Sequence, residues 1–325
     1  MSAPPLWLVA WSDSEDEDFR AACAEAGVEA EVARVAPLGP TVGTSGHRLR
    51  SWPAYVRLAA RARRWPGPVV AWDPIAGSLA ARLRRGVVVL NPLLDPEAET
   101  LRQRFVLGGA RQAERVLFFS RAAEREGVAL GLDAERVGFV PLGVRAPRET
   151  AVPPGSGVLG VGRERRDWDT LARAAQGLDL EVRVVGPASA PPPLSVLPAV
   201  ERGRLLELME AAAAVVVPLR DARRPAGQLA VLDALAAGRG VVATRAPGTE
   251  DYITPETGVL VPPGDAGALR DALRNVADPA TAASLGEAAL RAARGPFALA
   301  RFVRDVDEAA RARTPAERAR GSGRT

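Results

Sequence analysis

Val158-Leu159-Gly160-Val161-Gly162-Arg163-Glu164-Arg165-Arg166-Asp167-Trp168-Asp169-Thr170-Leu171 is a short apolar run, a loop dense in arginine, and the opening of a helix. Such a run, bounded by a helical segment, reads as a buried parallel strand, because parallel strands are covered on both faces by their crossover helices. The same unit recurs downstream at Val182–Val185, Val215–Val217, Val241–Ala243 and Val259–Val261. Upstream it is preceded by runs at Leu6–Trp11, Ala30–Val35, Val69–Trp72, Val87–Leu90, Val116–Phe119 and Gly138–Val140, with helical segments between most of them, the first near Glu15–Ala26. Between the two series lies Arg145–Gly157, rich in Pro and Gly and without apolar periodicity, which reads as a linker. The 325 residues are enough for two domains, each with its own core.

The expected architecture is therefore α/β, with two Rossmann-like doubly wound domains facing a cleft, residues 1–150 and 151–296. Ligands of such sheets bind outside the carboxyl ends of the strands, so the cleft is the expected site. In residues 297–325, a helix of about Phe297–Arg313 carries Leu299, Phe302, Val303, Val306 and Ala310 on one face. That stripe must bury, and a return to the first domain would bury it; the polar tail Glu317–Thr325 is expected to be disordered.

Composition narrows the function. An apolar fraction of 47% and a charged fraction of 25% exclude a disordered chain. The net charge is only +4, and all 43 basic residues are Arg. Lys is absent and Asn and Ile are rare, the signature of a high-GC coding sequence rather than a selected basic surface. With no RNA-recognition, helix-turn-helix or zinc pattern, nucleic-acid binding is not expected. Cys23 stands alone, which fits a reducing compartment. Leu6–Trp11 runs directly into Asp13, Glu15, Asp16, Glu17 and Asp18, unlike a signal peptide, and no apolar run reaches the ~18 residues of a membrane span. A cytoplasmic protein, at most peripheral at a membrane face, is expected.

Gly155-Ser156-Gly157-Val158-Leu159-Gly160 matches the dinucleotide fingerprint G-x-G-x-x-G. The fingerprint works only between a strand and a helix, and here a proline-rich linker precedes it while the strand runs through its end. A nicotinamide or flavin site is rejected.

Three stretches of the second half carry chemistry. Arginines at Arg163, Arg165 and Arg166 follow a strand tip, where guanidinium forks match phosphate oxygens and keep their charge. Pro225-Ala226-Gly227-Gln228 turns into the helix Leu229–Ala237, whose free N–H groups can seat an anion. Asp233 lies within that apolar helix, where a carboxylate needs a partner, an arginine of the protein itself or a ligand. The third stretch, Gly240–Tyr252, is a strand leading through Pro247-Gly248-Thr249, and it continues to Gly258–Asp265.

Together these residues resemble the C-terminal half of a GT-B glycosyltransferase of the large retaining family 4, within the glycosyl transferases of group 1. The motifs are Gly162-Arg163, Val217-Pro218, Leu232-Asp233-Ala234-Leu235-Ala236-Ala237-Gly238, Gly240-Val241-Val242 and Gly258–Asp265. Phe119-Ser120-Arg121 and Val140–Val144 add to the likeness, which covers roughly Val116 to Val276; residues 1–115 fit only a generic Rossmann-like domain. The resemblance implies transfer of a sugar from a nucleotide diphosphate sugar, with retention and without metal or other cofactor; UDP, GDP, ADP and dTDP are not distinguished. It implies catalytic roles for Arg163 and Arg166, and donor contacts for Gly162, Arg165, Gly227, Gln228, Asp233, Gly248 and Thr249. Trp168 stands in the register of the family lysine, so Arg165 or Arg166 would take its role. Of the family's paired glutamates, the second is Asp233, one methylene shorter, and the first falls on Pro225, which cannot bond a sugar; Gly227 and Gln228 are the substitutes. A catalytically inactive GT-B-like nucleotide-sugar-binding or partner subunit is the alternative that Pro225 and the shortened Asp233 raise.

In the first half, His47 and Asp73 are the acceptor-side candidates, His47 in a loop after the second strand and Asp73 at a strand end. Arg50, Arg57, Arg61 and Arg64 share one helical face beside Trp52, Tyr55 and Trp65, an arrangement that can rest on anionic lipid. The acceptor itself, whether a glycan, a lipid-linked sugar or a small molecule, has no readable code.

Overall fold

Valine-rich runs of three to five residues form the strands of two six-stranded, fully parallel sheets. The computed structural model describes residues 3–9, 13–34, 52–95, 100–150, 153–162, 165–220 and 225–312. The chain divides into two compact units, Met1–Val140 with Ala300–Thr325, and Pro141–Leu299.

The first unit alternates β1 (Leu6–Val9), α1 (Asp13–Ala26), β2 (Glu31–Arg34), α2 (Trp52–Arg64), β3 (Val69–Ala71), α3 (Pro74–Leu83), β4 (Val87–Leu90), α4 (Leu101–Ala110), β5 (Arg115–Phe118), α5 (Arg121–Ala129) and β6 (Val137–Phe139). Its strand order is β2-β1-β3-β4-β5-β6. Leu6, Leu8, Val69, Val87, Val89 and Phe118 anchor one core. Trp7 faces the other side, against Phe19 of α1.

The second unit runs β7 (Val158–Val161), α6 (Trp168–Ala175), β8 (Val182–Val185), β9 (Ser195–Leu197), α7 (Arg202–Glu210), β10 (Ala214–Val217), α8 (Gln228–Ala236), β11 (Gly240–Thr244), β12 (Gly258–Val261), α9 (Ala266–Ala277) and α10 (Pro279–Arg294), in strand order β12-β11-β10-β7-β8-β9. In both sheets the strand order reverses beside the first strand, the topology that places ligand sites at strand carboxyl ends. The last helix, α11 (Leu299–Arg311), sets Phe302 against Trp7, Trp72 and Phe119 within the first unit. Phe302, Val303 and Val306 of the expected stripe are buried.

Two details differ from the sequence reading. The edge strand β9 has no counterpart in the sequence reading, because it is three residues long, largely exposed and flanked by prolines. Arg145–Gly157 lies within the second unit. Arg148 there pairs with Glu210 at 2.8 Å, and Val144 exchanges backbone bonds with Phe297 and Leu299. β7 begins inside the G-x-G-x-x-G stretch, which accords with rejecting that fingerprint. The tail 317–325 lies outside the described residues. No helix among the described residues is long and apolar enough to cross a membrane.

Candidate functional site

Neighbouring strands β7 and β10 of the second unit end side by side, and the loops leaving them are fastened together. Arg166 forms an antiparallel bridge with Leu219. The Arg220 amide donates to the Arg165 carbonyl at 2.9 Å, and the Asp167 amide donates to the Pro218 carbonyl at 3.0 Å. Asp167 then caps α6, its Oδ1 accepting from the Thr170 amide at 3.0 Å. Trp168 follows, 8% exposed, with its indole against Gly160.

The arginines separate in character. Arg166 folds back over its own strand, Nε donating to the Val161 carbonyl at 2.7 Å. Its guanidinium lies over Gly162, whose φ of +116° and lack of a side chain admit it; a Cβ there would collide with Arg166. Burial pulls the Arg166 pKa down to about 10, which leaves a partly buried cation at neutral pH. Such a cation acts on nearby charge more strongly than a solvated one. Arg165 is exposed, with φ +58°. Arg163 lies outside the described residues.

The N-terminus of α8 is built differently from a self-sufficient helix. Gly227 is its cap residue at φ +89° and offers no side-chain acceptor to the first-turn amides. Gln228, partly exposed, begins the helix, and Pro225 stands just before the turn. Gly248 lies against the backbone of Ala226 and so braces this turn from the loop after β11. Thr249 is fully buried, and its hydroxyl donates to the Thr244 carbonyl at 2.7 Å while accepting from the Ala246 amide at 3.0 Å. The structure thus commits Thr249 to holding the bend. Thr244 adds a brace that sequence reading missed, its hydroxyl accepting from the Leu219 amide at 2.8 Å.

Asp233, further along α8, has a side chain only 14% exposed and pairs with Arg202 of α7 at 2.8 Å. Burial raises its pKa and the Arg202 charge pulls it partly back. Arg202 also escaped sequence reading. A cation on the first residue of a helix opposes the dipole, and that misplacement was the available signal.

In the first unit Asp73 caps α3, with Oδ1 accepting from the Ile75 and Ala76 amides at 2.9 and 2.8 Å. Burial raises its pKa, and those amides and the Tyr55 hydroxyl oppose the shift. His47 and Arg50 lie outside the described residues. Arg57, Arg61 and Arg64 line a surface recess of about 470 Å³ with Ala60 and Trp65. Arg61 is further tied to Glu31 at 2.6 Å.

The two sheets and their helices define a GT-B fold, the fold of several solved structures. HepE from Anabaena, crystallised with UDP, matches with a TM-score of 0.71 at 17% identity, covering 94% of this chain and 99% of that one. Sucrose-phosphate synthase from Thermosynechococcus elongatus matches with a TM-score of 0.70 at 17% identity, over 99% of this chain and 100% of that one. WaaG, a glycosyltransferase involved in lipopolysaccharide biosynthesis, matches with a TM-score of 0.61 at 16% identity, over 93% and 99%. In sequence, residues 158–278 match the family described as Glycosyl transferases group 1. That segment holds every described element of the site from β7 to α9. No curated protein matches the chain in sequence.

Proposed function

We propose that the protein is a metal-independent retaining glycosyltransferase that takes its sugar from a nucleoside diphosphate sugar. One observation carries the reading: a desolvated arginine, Arg166, in a loop fastened to the loop that leads into the uncapped N-terminus of α8. The family match over residues 158–278 supports the same reaction class. In the reaction the bond from the anomeric carbon to the diphosphate oxygen breaks, and its electron pair goes to the diphosphate. The acceptor oxygen bonds the same carbon on the same face and passes its proton to the departing diphosphate oxygen. Charge therefore grows on the leaving oxygens, where fixed cations and helix amides stabilise the transition state. Arg163 and Arg166 are assigned that role. Gly162, Arg165, Gly227 and Gln228 line the diphosphate and donor sugar, Gly248 and Thr249 shape their loop, and Asp233 accepts from the ribose hydroxyls. His47 and Asp73 belong to the acceptor side.

The test is thermal shift with UDP, GDP, ADP and dTDP, followed by product analysis with the matching α-linked nucleotide sugars. UDP comes first, since the HepE structures include complexes with UDP and UDP-glucose. Stabilisation by one nucleotide and an α-linked product are the expected results. Stabilisation by none would sink the reading, and an inverted product would sink retention. Binding with no transfer would favour the second reading, a donor-binding subunit without catalysis, which rests on Pro225 in place of a hydrogen-bonding residue.

The α2 arginines support contact with anionic lipid, since this helix has no acidic residue and exposes Trp52 and Val56 alongside them. Co-sedimentation with anionic but not neutral vesicles, lost in an Arg57→Glu, Arg64→Glu variant, is the expected outcome; equal sedimentation with both vesicle types refutes it.

A further inference from the structure

One carboxylate oxygen at the donor site is held and the other is left available. Both described contacts between Arg202 and Asp233 fall on Oδ1, from Nη2 at 2.8 Å and from Nε at 3.2 Å. A fork-to-fork pair would instead engage both oxygens. Arg148 and Glu210 make such a pair in the same unit, Nε to Oε1 at 2.8 Å and Nη2 to Oε2 at 2.9 Å. Among the described residues, no hydrogen bond is made to Oδ2 of Asp233.

The placement of Arg202 carries a second, independent signal. It is the first residue of α7, at the positive end of the helix dipole, and Glu201 before it makes no side-chain cap bond. A cation there weakens the helix it starts. Holding a long side chain that is 46% exposed also costs conformational entropy. Where a residue opposes its local element, its reason lies in a contact outside that element. Here that contact is Asp233, 31 residues away.

We propose that Arg202 is a positioning residue for nucleoside recognition, pinning Oδ1 of Asp233 so that Oδ2 accepts from the ribose hydroxyls of the nucleoside diphosphate. The proposal rests on Asp233 as the ribose-binding carboxylate. The side chain of Asp233 is one methylene shorter than the family glutamate, so it has fewer rotamers to fix and a single cation is enough to aim it. The Arg202 charge also favours the ionised carboxylate, against the burial that raises its pKa. β10, β11, α7 and α10 pack against α8, and among the described residues Arg202 is the charged group that acts on Asp233. Without it, burial acts unopposed and the carboxylate takes up its proton at a higher pH.

The experiment is titration calorimetry with the tightest binder among UDP, GDP and ADP and with its 2′,3′-dideoxy counterpart, repeated as the pH is lowered. Wild type is expected to prefer the ribonucleotide by on the order of ten- to a hundredfold, the range for hydrogen bonds to a charged group. Asp233→Asn removes most of that preference. Arg202→Gln shrinks it several-fold and moves its acid limb to higher pH, and Arg202→Lys restores part of it. A merely structural role would lower the melting temperature and leave both the preference and the acid limb in place. An Arg202→Gln protein with wild-type preference and acid limb overturns this inference while leaving Asp233 in its role. A wild type with no ribose preference overturns the assignment of Asp233 itself. Should Arg202→Gln fail to fold, Arg202→Ala is read in the same way.

Discussion

Helices α3 and α8 both start at the carboxyl end of a parallel sheet, yet their first turns are finished in opposite ways. Asp73 closes α3 with two hydrogen bonds from its own carboxylate, and Pro74 removes one further orphan donor. At α8 the cap is Gly227, with a left-handed backbone and no side chain to accept anything. Thr100, Ser120, Asp167, Asp265 and Asp278 cap their helices as Asp73 does. Among the described side-chain caps only α7 and α8 go without, and these are the helices joined by Arg202 and Asp233. A chain that satisfies its own amides leaves no seat for an anion, whereas one that withholds the cap creates a seat at a cost in helix stability.

This contrast can be broken most forcefully at Arg166, whose backbone is bridged to the strand end that leads toward the open terminus. Arg166→Ala should raise the barrier to transfer by about 2–4 kcal/mol, the range for removal of one preorganised electrostatic donor. Steady-state turnover with the matching nucleotide sugar measures it, and a near-normal kcat would remove Arg166 from the mechanism. The second effect is smaller. Gly227→Asp places a competing carboxylate where the diphosphate is proposed to sit, and should weaken nucleoside diphosphate binding by on the order of tenfold. Unchanged calorimetric affinity would show that the α8 amides seat no anion. The smallest effect belongs to the comparison helix. Asp73→Ala should cost about 1 kcal/mol of stability through loss of the cap, read from the urea midpoint, with nucleotide affinity unchanged. A loss of affinity in that variant would mean that the two termini do not differ as described.

Much of the fold was legible because a buried parallel strand needs an unbroken apolar run, and Val87–Leu90, Val158–Val161 and Val182–Val185 coincide with the observed strands. β9 escaped because an exposed edge strand places no such demand on its residues. At the site, the glycine turn at Gly227 could be read, since only a side-chain-free residue suits its backbone. The direction of a hydroxyl could not. Thr249 stands beside Gly248 in a loop that reads as ligand-facing, but its hydroxyl turns inward to Thr244 because a tight bend must satisfy its own carbonyls.

Periodicity, turn residues and motif order in the sequence alone settle two parallel sheets and the order of strand, arginine loop and glycine turn, since these depend on neighbours a few residues apart. Tertiary structure decides which distant groups meet. It brings Arg165 to Arg220, Thr244 to Leu219 and Arg202 to Asp233, contacts between segments that only packing of the sheet and its helices sets side by side. It also decides what each charge becomes. Burial pulls the Arg166 pKa down and pushes Asp233 toward its neutral form, and burial belongs to the folded surroundings rather than to any residue.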